Sequence, residues 1–157
     1  MSDLALIWSQ PLGSGDFAVA ANDFVGEDGL RSAVTVSLFC EAPANAGDEL
    51  PDGSIAVGGE RGWWADAVPA VPGDAFGSRL WLLQRAKRSP NVPARAQAYA
   101  FEALKWLTDD KVASAISISA AYNAKGWLVL TVDIDRPQQS RATFRFDPVW
   151  AAEAARS

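Results

Sequence analysis

The chain has 157 residues, 49% of them hydrophobic, a formal net charge of −5 and no histidine, which suits one cored domain and is too short for two of ordinary size. The acidic balance opposes attraction to a phosphate backbone, and no run approaches the roughly 20 apolar residues of a membrane span, so neither nucleic acid nor membrane is an expected partner. Without histidine there is no Ser-His-Asp triad and no imidazole-held metal, and the single Cys40 makes no intrachain disulfide.

The opening "MSDLALIWSQPLG" has neither a basic start nor a sustained apolar run with a small-residue cleavage site, so no secretory signal is read there and cytoplasmic synthesis is expected. A strand-like run follows around Phe17 to Ala21, and Gly26-Glu27-Asp28-Gly29 predicts a turn. Leu30, Ala33, Val34, Ser37 and Leu38 then keep helical spacing behind the cap candidate Asp28, although Val34-Thr35-Val36 favours a strand by propensity. The periodicity predicts a helix. Residues 41–59, "EAPANAGDELPDGSIAVGG", are dense in turn formers and predict an exposed loop inserted in a single domain spanning 1–157, with a short extended piece at Ser54 to Val57.

In "FGSRLWLLQRAKRSP", Ser78 can cap a short helix carrying Leu80 to Leu83, with Pro90 ending it. The longest predicted helix comes next, where Ala96, Tyr99, Ala100, Ala103, Leu104 and Leu107 trace one stripe. Phe101 and Trp106 fall off that stripe; either the helix is covered on two sides, or a second apolar face awaits a partner. The last third predicts a three-strand meander. Ile116, Ile118 and Ala120, then Leu128, Leu130, Val132 and Ile134, then Ala142, Phe144 and Phe146 alternate with polar or small residues. Val112 is expected to extend the first of these strands. Asp147-Pro148 predicts a short tail helix pinned by Trp150. The pattern amounts to an α+β fold, a small antiparallel sheet of the meander plus an N-terminal strand, packed on one long helix and shorter ones.

Chemistry is sparse. A glycoside hydrolase needs two carboxyl groups at a set distance, and Glu60 with Asp66 or Asp74 is the pair to test, the neighbouring tryptophans serving as a sugar platform. A Glu-Arg pair in a tight turn is more often a loop-ordering contact. No phosphate loop and no calcium loop is present, and no metal, cofactor or small-molecule substrate is expected. Trp63 and Trp64 are adjacent, so in extended backbone their indoles point opposite ways and cannot both enter one core.

The strings "ELPDG", "ERGWWAD", "GSRLWLLQRAK", "ALKWLTDD", "VDIDRP" and "RFDPVW", in this order over roughly residues 3 to 150, resemble the Mu-like phage baseplate protein family. More distantly, "GERGWW" and "FGSRLWLL" are similar to the lysozyme-like wedge proteins of T-even phages and their type VI secretion counterparts. The resemblance implies an α+β subunit without enzymatic activity, located in the virion's contractile-tail baseplate. It further implies contacts with wedge and hub or spike proteins and a template for sheath subunits. The T-even group's Glu-Pro-Arg signature is replaced here by Thr108-Asp109-Asp110-Lys111, so contacts made by that signature are not carried over. Partner contacts are expected at Glu60 and Arg61, which would order the loop, and at Trp63 or Trp64 as a buried anchor. Arg79 and Trp81 lie in a second matched string, and Arg141 and Arg145 flank a strand that could accept a sheath arm.

Overall fold

The computed structural model describes residues 29–62 and 76–147 in full, and residues 3–4, 6–9, 14–17, 19–20, 23–24 and 26–27 as backbone strands. Trp63, Trp64, Asp66, Asp74 and the predicted tail helix with Trp150 lie outside the described residues.

The N-terminal strands pair locally. Strand β2 (Leu6–Ser9) runs antiparallel to β3 (Ser14–Phe17), β4 (Val19–Ala20) to β5 (Asp23–Phe24), and β1 (Asp3–Leu4) to β6 (Gly26–Glu27). Two expectations are corrected. Gly26 and Glu27 belong to a strand rather than a turn, and the run around Phe17 to Ala21 is split between β3 and β4. The registers set Ser9 opposite Ser14 and Ala20 opposite Asp23. Among the described residues, no N-terminal strand joins the C-terminal sheet.

Helix α1 (Leu30–Phe39) forms as its spacing predicts, with Leu30, Val34 and Leu38 buried. Its N-cap is Gly29 in the left-handed region rather than Asp28. Thr35 tolerates the helix because its hydroxyl donates to the Arg31 carbonyl one turn back. β2 lies beside this helix.

A five-residue 3₁₀ turn, Arg79–Leu83, buries all four of Leu80, Trp81, Leu82 and Leu83, and Ser78 caps it by accepting from the Leu80 amide. It ends at Leu83, well before Pro90, which instead opens helix α2 (Asn91–Leu104) as its N-cap. The stripe Ala96, Tyr99, Ala100 and Leu104 is buried and continues to Leu107 in α3 (Trp106–Asp109). The off-stripe residues divide. Trp106 is half-buried and donates its indole N–H to Ser37 of α1, whereas Phe101 stays 50% exposed.

Strands β7 (Ala115–Tyr122), β8 (Leu128–Asp135) and β9 (Ala142–Phe146) form the meander with β8 central. The register pairs Ile118 with Val132 and Val132 with Phe144, so the apolar sets of all three strands share one face. Leu128, Leu130, Val132 and Ile134 are fully buried, with α2 packed on β7 and β8, and Phe39 of α1 meets Phe146 of β9 edge-to-face at 5.2 Å. Val112 is not part of β7; it sits in the preceding turn and is exposed. The β7–β8 turn is drawn tight by Asn123, whose side-chain oxygen accepts from the Lys125 and Trp127 amides.

Candidate functional site

The two glycine-framed strings singled out in the sequence, "GERG" and "FGSR", converge on the segment that leaves α1. On one side the Ala44 amide donates to the Glu60 carbonyl (3.0 Å) and the Gly59 amide to the Ala44 carbonyl (2.8 Å). On the other, the Ala42 amide donates to the Ser78 carbonyl (3.0 Å) and the Ser78 amide to the Cys40 carbonyl (2.9 Å). The stretch from Cys40 to Ala44 is thus held between both strings.

Close approach explains the glycines. A Cβ on Gly77, at φ +94°, would stand 2.6 Å from the Cys40 carbonyl oxygen; one on Gly62 would press on Pro43 at 3.3 Å. Ser78 adds a hydroxyl donated to the Leu38 carbonyl at the end of α1. That group would otherwise be an unpaired acceptor at a buried helix terminus.

Side chains lock the junction. Trp81 is 5% exposed and its indole N–H donates to the Ala42 carbonyl (2.8 Å). Arg61 stacks over the Trp81 ring at 4.7 Å and pairs with Glu41 at 2.5 Å. Trp81 is therefore the floor on which Arg61 rests. Arg79 bonds Asp48 (2.9 Å) and Glu102 (2.7 Å) and lies over Tyr99 at 4.7 Å, tying the loop to α2. Burial opposes its charge, but the hydrogen bonds it donates to Glu102 and Asp48 outweigh this and raise its pKa.

Glu60 turns inward along its own loop. Its two carboxylate oxygens accept from the Val57 amide (2.6 Å) and the Gly58 amide (2.9 Å), and the Val57 bond foremost holds its pKa below the ordinary value of 4.5. A general acid needs the opposite shift. The adjoining cleft, lined by Leu50, Asp52, Glu60, Arg61, Trp81 and Arg85, has a volume of about 250 Å³, below the roughly 300–1,000 Å³ of ligand pockets. These contacts order the loop; the second carboxyl group of the proposed sugar-cleaving pair, Asp66 or Asp74, lies outside the described residues.

Arg141 and Arg145 lie far from this junction in sequence, Arg145 on the solvent face of β9 and Arg141 just before its first residue. Arg141 forks onto Asp135 with bonds of 2.6 and 3.0 Å, and Arg145 reaches Asp147 at 2.9 Å. Their side chains are 58% and 62% exposed. Thr143 between them donates to Asp133. Sequence reading missed Asp48, whose place under Arg79 carries no local signal because the partners are 31 residues apart.

The described residues thus form an α+β fold whose signature residues knit loops together. The family model described as phage protein GP46 matches residues 30–141. The chain is 42% identical over 146 residues to "Baseplate protein gp46" of Escherichia phage Mu, covering 93% of this chain and 95% of that protein. It is also 35% identical over 153 residues to "Mu-like prophage FluMu protein gp46" of Haemophilus influenzae, covering 96% and 99%. The chain belongs to the phage protein GP46 family, the Mu-like baseplate family its sequence strings resemble.

Proposed function

We propose that the chain is a structural, non-enzymatic component of a contractile phage-tail baseplate, made in the bacterial host and incorporated into the virion. There it contacts wedge and hub or spike proteins and offers a template for the first sheath subunits. The observation that carries this reading is the near full-length identity to a protein named for the Mu baseplate.

The meander supplies a surface for sheath docking. β7 and β9 are its margins, and Gln97 of α2 already donates to the Ile118 carbonyl of β7. Among the described residues, the backbone of β9 has no partner other than β8. An extended arm added along β9 would gain ladder hydrogen bonds, and Arg141 and Arg145 would select an acidic arm by exchanging their present exposed pairs, which are weak. Glu60, Arg61, Trp81 and Arg79 act by holding the loop in shape, and Trp63 or Trp64 serves as the buried anchor toward a wedge or hub subunit.

Electron microscopy of particles from a phage deleted for the chain tests this. Hub and wedge complexes without polymerised sheath are expected, with sheath restored by the wild-type gene. Normally sheathed tails in the deletion strain would overturn the reading.

A further inference from the structure

We infer that the loop of residues 41–62 is a preformed docking knob for a partner protein that presents an apolar pocket rimmed by lysine or arginine side chains. The inference rests on the assembly reading above and names the chemistry of one partner surface.

The loop is an antiparallel hairpin: the Ala56 amide donates to the Asp48 carbonyl (2.8 Å), the Gly47 amide to the Ala56 carbonyl (2.9 Å), and the Leu50 amide to the Ser54 carbonyl (2.9 Å). Ala56 is buried at 3% exposure, so its extended neighbours Ile55 and Val57 both project to the opposite side. They are 63% and 86% exposed, the two most exposed large aliphatic side chains among the described residues. An isolated exposed aliphatic is ordinary. Two on one face of a pinned hairpin are a different matter.

The pinning is extensive. Glu60 fixes the Val57 and Gly58 amides, Asp52 accepts from both the amide and hydroxyl of Ser54, and Asp48 accepts from the Asn45 amide while paired to Arg79 on the body. A segment ordered before binding loses less conformational freedom on association, so each buried methyl contributes more of its free energy to affinity. Apolar side chains held out in this way are suited to insertion.

Charge identifies the receiving surface. Residues 41–62 contain the carboxylates Glu41, Asp48, Glu49, Asp52 and Glu60 against the single cation Arg61, a formal −4 of the chain's −5. Arg61 and Arg79 neutralise Glu41 and Asp48. Glu49 and Asp52 make no ion pair among the described residues, Arg85 acting on Asp52 only at longer range, and together with Glu60, whose oxygens are held by the Val57 and Gly58 amides, they bracket Ile55 and Val57 in sequence. A basic rim would complement them, and an acidic or neutral one would be rejected.

Photocrosslinking in purified tail particles reads the contact, with p-benzoylphenylalanine placed at Val57 and, as control, at Ser117 on the sheet's solvent face. The Val57 probe is expected to mark a different protein at an apolar site with Lys or Arg nearby. The Ile55→Ser/Val57→Ser double variant, with an unchanged unfolding midpoint, is expected to lower the amount of chain per particle by about tenfold. A variant incorporated like wild type, or a crosslink to a second copy of this chain or to an acidic neighbour, would overturn the docking knob alone. Absence of the wild-type chain from particles would overturn the assembly reading and the knob with it.

Discussion

The meander with its covering helix and the loop junction beside it reach order by different physics. In the meander, a two-residue period turns Leu128, Leu130, Val132 and Ile134 onto one face, and their burial, with α2 packed on β7 and β8, supplies the stability. In the junction, Cys40 to Ala44 gains few large apolar contacts; it is held by backbone bonds to two glycine-framed strings, a capping serine and an arginine stacked on an indole. The first region tolerates exchange among apolar residues of similar volume. The second depends on single residues with no substitute, which is why its strings are so distinctive.

Substitutions separate the two modes. Leu130→Ala at the centre of β8, where the side chain is fully buried, removes buried methyl groups and leaves a cavity, with an expected loss of about 4 kcal/mol. A thermal or denaturant midpoint checks it, and Leu130→Met should recover most of the loss. Gly77→Ala adds one methyl yet is expected to cost about 3 kcal/mol, because it forces a left-handed φ on alanine and sets Cβ against the Cys40 carbonyl. No smaller side chain can rescue it. If Gly77→Ala proved neutral, the junction would be held by something other than close backbone approach.

What was legible in the sequence follows the same division. Periodicity disclosed α1, α2 and the meander, because a buried face repeats at the period of its own element. The cap at Ser78 was legible as well, since capping is local. The N-terminal pairings were not legible, because strands of two to four residues carry almost no pattern. The convergence of "GERG" and "FGSR" on one segment was out of reach. Glycine announces a backbone need without saying which distant carbonyl comes near, and Arg79 does not reveal in sequence that Asp48 and Glu102 will be its partners.

The smallest expected effect sharpens the comparison most, because it is confined to the loop. Glu60 is ionised in its ordered position, with its pKa held below 4.5 mainly by the Val57 amide. A depressed carboxylate pKa contributes to loop order fully above the ordinary value, and that contribution is lost as the pH falls through the lowered one. Protection of the Val57 and Gly58 amides from hydrogen exchange, corrected for intrinsic rates, should therefore hold steady at neutral pH and decline below pH 4.5. Glu60→Gln retains one acceptor oxygen and turns an NH₂ group toward the other amide, so protection at these two positions should fall by about fivefold at neutral pH, comparable to one lost hydrogen bond. The acid-side decline should vanish in the same variant. Amides of β8 should be unchanged throughout, since their order derives from burial; a parallel change there would mean that loop and sheet form one cooperative unit and that the two modes of stabilisation are not separable.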